Sequence, residues 1–358
     1  MSVNTYQQPR LIIGNKEYSQ FGGVSLNFPG NSKINSMNFT LNDSDAQEGK
    51  FLNREVKFYL NYGSEDSIPI FRGFIRQFKP SDKDIKITAY DGRTFIQGKE
   101  AQTISLTEKD NFDGFTVAQY LSHLIQDKVN LNDITRIGLD TLTDVSPPVL
   151  MKGVRGKNQS PYGLATKQLK ANTDKESIND GIIYNYHIDM IDDGNNSNIV
   201  LVKEKNLDST PSATFAYLDG IESYTHKVRA PPSYITSETT DGKTAFYKDG
   251  NIPQGLIGKT IKGKYEDTAS ATEAGLFEVI SNEKNTTEIS LKVTKGFDLA
   301  LGSIVRLIVP EDELANNNHR VASKRISVSD KGTTCTLNLN RRPVEVSDYI
   351  STSLTNDI

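Results

Sequence analysis

The amino-acid sequence predicts a mainly β fold of the α+β class, with two similar antiparallel β-barrel domains of a tube type and two smaller inserted domains of helices and strands. Three observations predict it: short segments in which apolar and polar residues alternate, turn residues between those segments, and an internal repeat. Alternation places apolar side chains on one face of a strand. A chain of 358 residues suits two or three domains, each with its own core.

The N-terminal strands are predicted from alternating segments between Arg10 and about Arg93, separated by turns. Antiparallel strands with one solvent-exposed face show this pattern, because only every second side chain enters the core. The alternating apolar residues are Met37, Phe39 and Leu41; Val56, Phe58 and Leu60; and Ile85, Ile87 and Ala89.

The period then changes to that of a helix. Apolar residues recur at three- and four-residue steps over 117–125, and a second helix is expected from Ser160, with Pro161 in its first turn. A hairpin is expected over 182–202 and a third helix over 270–282.

These elements predict the domain organisation. The first tube-like barrel comprises residues 1–102 with about 205–230, and 103–204 form an inserted α+β domain. Residues 231–288 are expected to be a loop-rich and helical insert, 289–343 with part of 231–288 the second tube-like barrel, and 344–358 a polar tail.

An internal repeat is the most informative feature of the sequence. A gapless self-alignment brings identical residues together: Arg72 with Arg320, Ser81, Asp82 and Lys83 with Ser329, Asp330 and Lys331, Thr88 with Thr336, and Arg93 with Arg341. It also aligns apolar positions: Leu41 with Ile289, Phe51 with Leu299, Val56 with Ile304, Phe78 with Ile326 and Ile87 with Cys335. Chance is the alternative, since Ser-Asp-Lys suits any hairpin turn. A shared register favours duplication, because a one-residue slip would turn every apolar side chain to the wrong face.

Two similar β domains per chain suggest a symmetric assembly. Three chains around a threefold axis would present six similar domains, and such a ring could join a sixfold tube to a threefold partner.

The same segments resemble a known family, the tail hub proteins of contractile phages, tailocins and related injection devices, which includes the late control protein D-like proteins. The C-terminal resemblance lies in Thr268–Leu276, Ile289–Leu307, His319–Val321 and Thr333–Leu339, and the N-terminal one in Phe71–Arg76 and Ile85–Arg93. Residues 103–204 are similar to the family's inserted domain only in their position and in their content of a helix and a hairpin.

The resemblance implies a structural role without catalysis. It implies two tube-like barrels, a homotrimer, contact with the tail tube or a tube initiator, and contact with a central spike. Because the chain ends soon after the second barrel, the spike is expected to be a separate protein. Tape-measure and baseplate wedge proteins are further expected partners, and the expected location is the virion tail baseplate or a phage-like particle assembled in the host cytoplasm.

The charge pattern argues against specific nucleic-acid binding, although DNA could pass through the channel. Lys and Arg total 41 against 45 Asp and Glu, and both signs are spread along the chain, whereas phosphate binding needs clustered positive charge. No apolar run approaches the length of a membrane span, and the first ten residues lack the apolar core of a signal peptide.

No motif predicts a catalytic, cofactor or metal site. The four histidines, His123, His187, His226 and His319, are far apart, and the single cysteine, Cys335, is expected in the core of a strand. His187 with Asp189, and the turn from Asp192 to Asn195, contain possible metal ligands, but a strand and a plain hairpin turn explain them.

Two other functions remain open at this point. A β-rich carbohydrate-binding or carbohydrate-active tail protein would need exposed aromatic platforms, and the chain has no Trp. A subunit of the tail tube or of a distal tail ring would form a sixfold particle rather than a threefold one.

Overall fold

In the computed structural model the described residues are 9–30, 32–41, 51–60, 68–81, 84–96, 111–125, 137–138, 149–151, 161–171, 186–192, 194, 197–203, 205, 207–217, 219–228, 234–239, 244–248, 258–265, 268, 287–313, 315–330 and 332–340. Strands dominate this part of the chain. They are β1 (Arg10–Ile13), β2 (Lys16–Tyr18), β3 (Phe21–Phe28), β4 (Ser36–Leu41), β5 (Glu55–Tyr59), β6 (Phe71–Pro80), β7 (Ile85–Tyr90), β8 (Ile137–Gly138), β9 (Tyr186–Asp192), β10 (Ser197–Lys203), β11 (Ala213–Tyr217), β12 (Gly220–Val228), β13 (Tyr234–Thr239), β14 (Thr244–Lys248), β15 (Gly258–Tyr265), β16 (Thr287–Val293), β17 (Ile304–Ile308), β18 (Asn318–Ser329) and β19 (Gly332–Leu339). The α-helices are α1 (Val117–His123) and α2 (Pro161–Ala171).

The prediction of a mainly β fold with a barrel is confirmed. Thirteen strands form one sheet in the order β17-β11-β12-β16-β19-β18-β3-β4-β7-β6-β5-β1-β2. Because β17 also pairs with β18, the first six strands of this order close into a barrel. A closed barrel leaves fewer strand edges open to other chains.

The closed barrel corrects one domain boundary. The sequence predicted that residues from about 205 to 230 complete the first barrel, but β11 pairs with β17 and β12 pairs with β16, so both belong to the second. Both strands follow the insert in sequence, and alternation alone does not say with which distant strand a segment pairs.

The first unit consists of β3, β4, β7, β6, β5, β1 and β2 in that order, and β3 joins it to the second unit. On one edge, β18 pairs with β17 over Asn318–Arg320 and then with β3 over Lys324–Val328. The change of partner falls at a bulge between Val321 and Ser323. The two units therefore share one continuous sheet.

The repeated hairpins have the same pairing in both units. In the first hairpin Phe78 lies opposite Ile87, and in the second Ile326 lies opposite Cys335, which are the positions that the self-alignment equates. Each hairpin also has a bulge on its longer strand, near Arg76 in β6 and near Ala322 in β18.

The gapless alignment is wrong for the strand before each hairpin. It equated Leu41 with Ile289, but Leu41 lies opposite Ile85, whereas Ile289 lies opposite Leu339 at the other end of its strand pair. The number of residues between β4 and β5 differs from the number between β16 and β17. A gapless alignment cannot absorb that difference, so it shifts the strand that precedes the loop.

One hydrophobic core runs through both units. Leu26 and Met37 of the first unit and Ile326 and Leu337 of the second are completely buried in the same cluster. Burying one such side chain contributes about 1.5–3 kcal/mol, so the residues at the junction stabilise the contact between the two units.

A second core builds the predicted α+β insert. Helix α1 begins as expected, with Thr116 and Gln119 forming a reciprocal capping box, and β9 and β10 form the expected hairpin. Tyr120, Leu169 and Ile188 are buried together in this core, and β8 adds a third strand beside β10.

The segment predicted to be loop-rich contains strands. Within 231–288, β13 pairs with β14 and with β15 to form a separate three-stranded sheet. The sequences of these strands are mostly polar and give little apolar alternation, which is why the pattern did not reveal them. The predicted helix over 270–282 and the predicted tail over 344–358 lie outside the described residues.

Neither helix among the described residues is long and apolar enough to cross a membrane.

Gly30 provides a first test of the junction. Its φ is +71°, and a Cβ on it would lie 2.1 Å from the carbonyl oxygen of Ala322. Gly30→Ala is expected to lower the free energy of unfolding by roughly 2–4 kcal/mol, through backbone strain and overpacking. Gly114→Ala is the matched control: its φ is +83° with nothing near the added Cβ, so it should cost only about 1–2 kcal/mol. Equal losses in denaturant unfolding would contradict the close contact.

Cys335 provides a second test. Its thiol is completely buried on β19, and burial raises its pKa to about 11, although nearby Lys324 acts in the opposite direction. Only the thiolate reacts with thiol reagents. We expect no labelling of the folded protein at pH 8 and complete labelling in denaturant. Rapid labelling under native conditions would place Cys335 outside the core.

Candidate functional site: buried arginines and open strand edges

Arg72 of β6 anchors the turn of the inserted hairpin to the first unit. Its Nε lies 2.7 Å from Oδ2 of Asp192, and its Nη2 donates a 2.7 Å hydrogen bond to the carbonyl oxygen of Gly194. The side chain of Arg72 is 1% exposed and that of Asp192 is 11% exposed. A buried charge is costly to separate from its partner, so this contact fixes the β9–β10 turn against β6.

Arg320 of β18 makes the corresponding contact in the second unit. Its side chain is buried, and its Nη2 donates a 2.5 Å hydrogen bond to the carbonyl oxygen of Lys205. Gly194 precedes β10 and Lys205 follows it. The two arginines that the repeat equates therefore hold the two ends of the same strand of the insert.

Arg93 and Asp91 form a buried ion pair at the end of β7. Arg93 Nη2 lies 2.6 Å from Asp91 Oδ2, and Arg93 Nη1 donates a 2.7 Å hydrogen bond to the carbonyl oxygen of Ile188. The same carboxylate oxygen accepts a 2.7 Å bond from the backbone N–H of Asn35. Burial alone would lower the pKa of Arg93, but Asp91, Tyr162 and Asp189 together reverse this, and the pKa lies above its ordinary value. The pair joins the first unit to the insert.

The repeated turns close the two hairpins with similar bonds. Ser81 Oγ donates to the carbonyl oxygen of Asp84 at 2.9 Å, and Ser329 Oγ donates to that of Gly332 at 3.4 Å. Asp330 is exposed. Four repeated residues lie outside the described residues: Asp82, Lys83, Lys331 and Arg341.

The candidate metal ligands have other partners. Asp192 binds Arg72, and it also accepts bonds from the N–H of Gly194 at 2.8 Å and from Ser197 Oγ at 3.0 Å. Asp189 lies 3.8 Å from Arg93. Across the described residues, no three His, Cys, Asp or Glu side chains are grouped so that they could hold a metal ion.

The other histidines stabilise local structure. His319 has its Nε2 2.8 Å from the carbonyl oxygen of Ala315, and His226 has its Nδ1 2.6 Å from Oδ2 of Asp312. His123 packs beside Phe112, with ring centroids 5.7 Å apart.

A cleft of about 610 Å³ lies between the insert hairpin, β6 and the loop over 295–301. Charged groups on its wall already have partners within the protein. Asp91 and Asp192 bind arginines, and Lys324 Nζ donates to the carbonyl oxygens of Phe297 at 2.8 Å and Leu299 at 2.7 Å. These three charged groups therefore make contacts within the protein.

Two strand edges that carry half-buried aromatic residues have no partner among the described strands. β5 pairs with β6 only as far as Phe74, so the outer edge of β6 is open over 76–80. β11 pairs with β12 only at Gly220 and Ile221, so the outer edge of β12 is open over 222–228. Phe78 lies on the first edge and Tyr224 on the second.

Comparison with known proteins gives likeness in structure only. No protein-family model and no curated protein sequence matches the chain. Among solved structures, the 43 kDa tail protein of prophage MuSo2 from Shewanella oneidensis is similar with a TM-score of 0.61 and 12% identity, over 93% of this chain and 96% of that one. A tail protein from Neisseria meningitidis is similar with a TM-score of 0.59 and 14% identity, over 95% and 98%.

This chain has the fold of these tail proteins. A third similar structure is the E. coli c3393 protein, described as a component of the type VI secretion system with structural similarity to the bacteriophage T4 tail proteins gp27 and gp5. Its TM-score is 0.53 with 10% identity, over 93% of this chain and 76% of that one. The fold predicted from the family resemblance is therefore confirmed.

The ion pair of Arg93 and Asp91 is testable by substitution. Arg93→Met leaves a buried carboxylate without its cation, so we expect the free energy of unfolding to fall by roughly 3–5 kcal/mol. Arg10→Met is the control, because Arg10 pairs with Glu17 at the surface, with side chains 44% and 52% exposed, and it should cost at most about 1 kcal/mol. Similar losses for the two variants in chemical denaturation would contradict the anchoring role.

Proposed function

We propose that the protein is a structural subunit of a phage tail or phage-like injection device, and that it acts as a homotrimeric hub in the baseplate. Three chains would place six related β units around a channel, and the ring would join a sixfold tail tube to a threefold central spike. The protein would act without catalysis.

The observation that carries this proposal is the pairing of two related units in one sheet. Each unit contributes four adjacent strands, β12, β16, β19 and β18 in one and β3, β4, β7 and β6 in the other, and β18 pairs with β3 between them. An arrangement that repeats twice per chain repeats six times in a trimer. A threefold assembly with six similar faces can contact partners of either symmetry.

The comparisons support the tail assignment through the fold. Proteins of the same fold include two named as tail proteins and one described as a component of a secretion system with likeness to tail proteins. The proposed partners are a second and third copy of the chain, a tail tube or tube-initiator protein, a spike protein, and tape-measure and wedge proteins. The proposed location is the baseplate of the particle, assembled in the host cytoplasm.

The oligomeric state tests the proposal. Native mass measurement of the purified protein at micromolar concentration is expected to give a trimer, and end-on particle images are expected to show threefold symmetry with six lobes. A monomer would contradict the hub. A sixfold ring would instead favour a tube or distal-ring subunit, and glycan binding by a monomer would favour the carbohydrate alternative.

A further inference from the structure

We propose that β6 of one copy pairs with β12 of a neighbouring copy, in the same register in which β18 pairs with β3 inside each chain. The inference rests on the proposed trimer and names the contact that builds it. Within one chain the sheet passes from the second unit to the first through β18 and β3. Between chains it would pass from the first unit to the second through β6 and β12.

The equivalence of β3 and β12 follows from the pairing within each unit. Strand β4 pairs with β3 and β7, as β16 pairs with β12 and β19. Each repeated threonine begins a row of residues that lie directly opposite one another on neighbouring strands. The rows are Thr88, Asn38 and Ser25 in the first unit, and Thr336, Lys292 and Ser223 in the second. Ser25 and Ser223 therefore occupy equivalent positions.

The same comparison shows which edges lack a partner. The residues of β18 that pair with β3 are 324–328. The pairing within the two hairpins equates 325–328 with 77–80 of β6, whereas Arg76 lies in the bulge of β6 and Lys324 does not lie in a bulge. No described strand pairs with the outer edge of β6 over 76–80, nor with that of β12 over 222–228. An edge strand presents unpaired backbone N–H and C=O groups, and pairing with another chain satisfies them.

Side chains are more deeply buried where β18 pairs with β3, which we call the filled junction, than along the open outer edges of β6 and β12. Ile326 and Leu26 lie opposite each other in the filled junction, and both are completely buried. Their equivalents, Phe78 and Tyr224, pack against the core but remain partly exposed. A missing neighbour accounts for this difference, because pairing of the two edges would cover both aromatic rings.

The side chains along the two open edges can repeat one of the two contacts made where β18 pairs with β3. Lys324 Nζ lies 4.8 Å from the ring centroid of Phe28, which is opposite it. The residues at the corresponding sequence positions, Arg76 and His226, do not repeat this contact. Arg76 donates to Asn53 Oδ1 at 2.8 Å and its guanidinium lies over the ring of Phe95, whereas His226 binds Asp312. Arg325 Nε lies 3.2 Å from Ser25 Oγ, and the equivalent pair is Gln77 and Ser223, again a donor and a hydroxyl.

The register of the contact between copies follows. Gln77 would lie opposite Thr225, Phe78 opposite Tyr224 and Lys79 opposite Ser223. Pro80 would lie opposite Glu222 at the end of the pairing, where the missing N–H of proline breaks no internal ladder bond.

Crosslinking tests this register. The variant Gln77→Cys, Thr225→Cys places two thiols at directly opposite positions, about 5 Å apart between Cβ atoms. A short bismaleimide reagent is expected to convert its trimer into covalent trimers on a denaturing gel. The buried Cys335 should not react, so the protein without the two introduced cysteines serves as the negative control.

The matched control is Gln77→Cys, Asn338→Cys. Asn338 lies in the same row and on the same exposed face as Thr225, with Ser290 between them. Each intervening strand adds about 4.8 Å to the distance between the two cysteines, so a short reagent should not link this pair. Crosslinking of the control instead of the first variant would overturn the proposed register.

A second variant keeps the test independent of the cysteines. Phe78→Asp should raise the dissociation constant of the trimer at least about tenfold, since it places a charge in a covered position, while circular dichroism stays unchanged. Ile191→Asp, in the insert and 51% exposed, should leave the trimer intact.

The outcomes separate the inference from the proposed function. A trimer that gives no crosslinks at Gln77 and Thr225 and tolerates Phe78→Asp would overturn the inference and leave the hub in place. A monomeric unmodified protein would overturn both.

Discussion

The pairing of β18 with β3 is the contact on which the rest of the structure depends. β18 pairs with β19 along one edge and with β17 and then β3 along the other, so a single strand closes the barrel and joins the two units. Backbone groups buried at this junction need partners, and the pairing supplies them. Gly30 belongs to the same constraint, because its missing Cβ lets the chain approach the carbonyl of Ala322.

The inserted domain is positioned by the same framework. Arg72 and Arg320 reach from equivalent places on β6 and β18 to opposite ends of β10, and Arg93 adds a buried pair at the end of β7. Guanidinium groups suit this task because they donate several bonds from one rigid plane. The repeated arginines Arg72 and Arg320 thus orient the insert relative to the sheet.

Local patterns predicted much of this fold, and non-local pairing could not be predicted. Alternation located the strands of the two hairpins and Cys335, and three-residue and four-residue spacing located α1 and α2. Arg72 and Arg320 both donate to main-chain carbonyls, and such contacts cannot be read from a sequence. β12 was assigned to the wrong unit for a similar reason, since its strand character is local but its pairing with β16 is not. The strands β13 to β15 were missed because their polar sequences show little alternation.

The central claim is that one sheet junction, made once inside each chain, is made again between chains. A cryo-EM reconstruction of the purified protein without imposed symmetry tests it most directly. We expect a closed trimeric ring in which the density of β6 continues into β12 of the next copy, with Phe78 facing Tyr224. A trimer held together through the inserts, with both of these edges left in solvent, would contradict it.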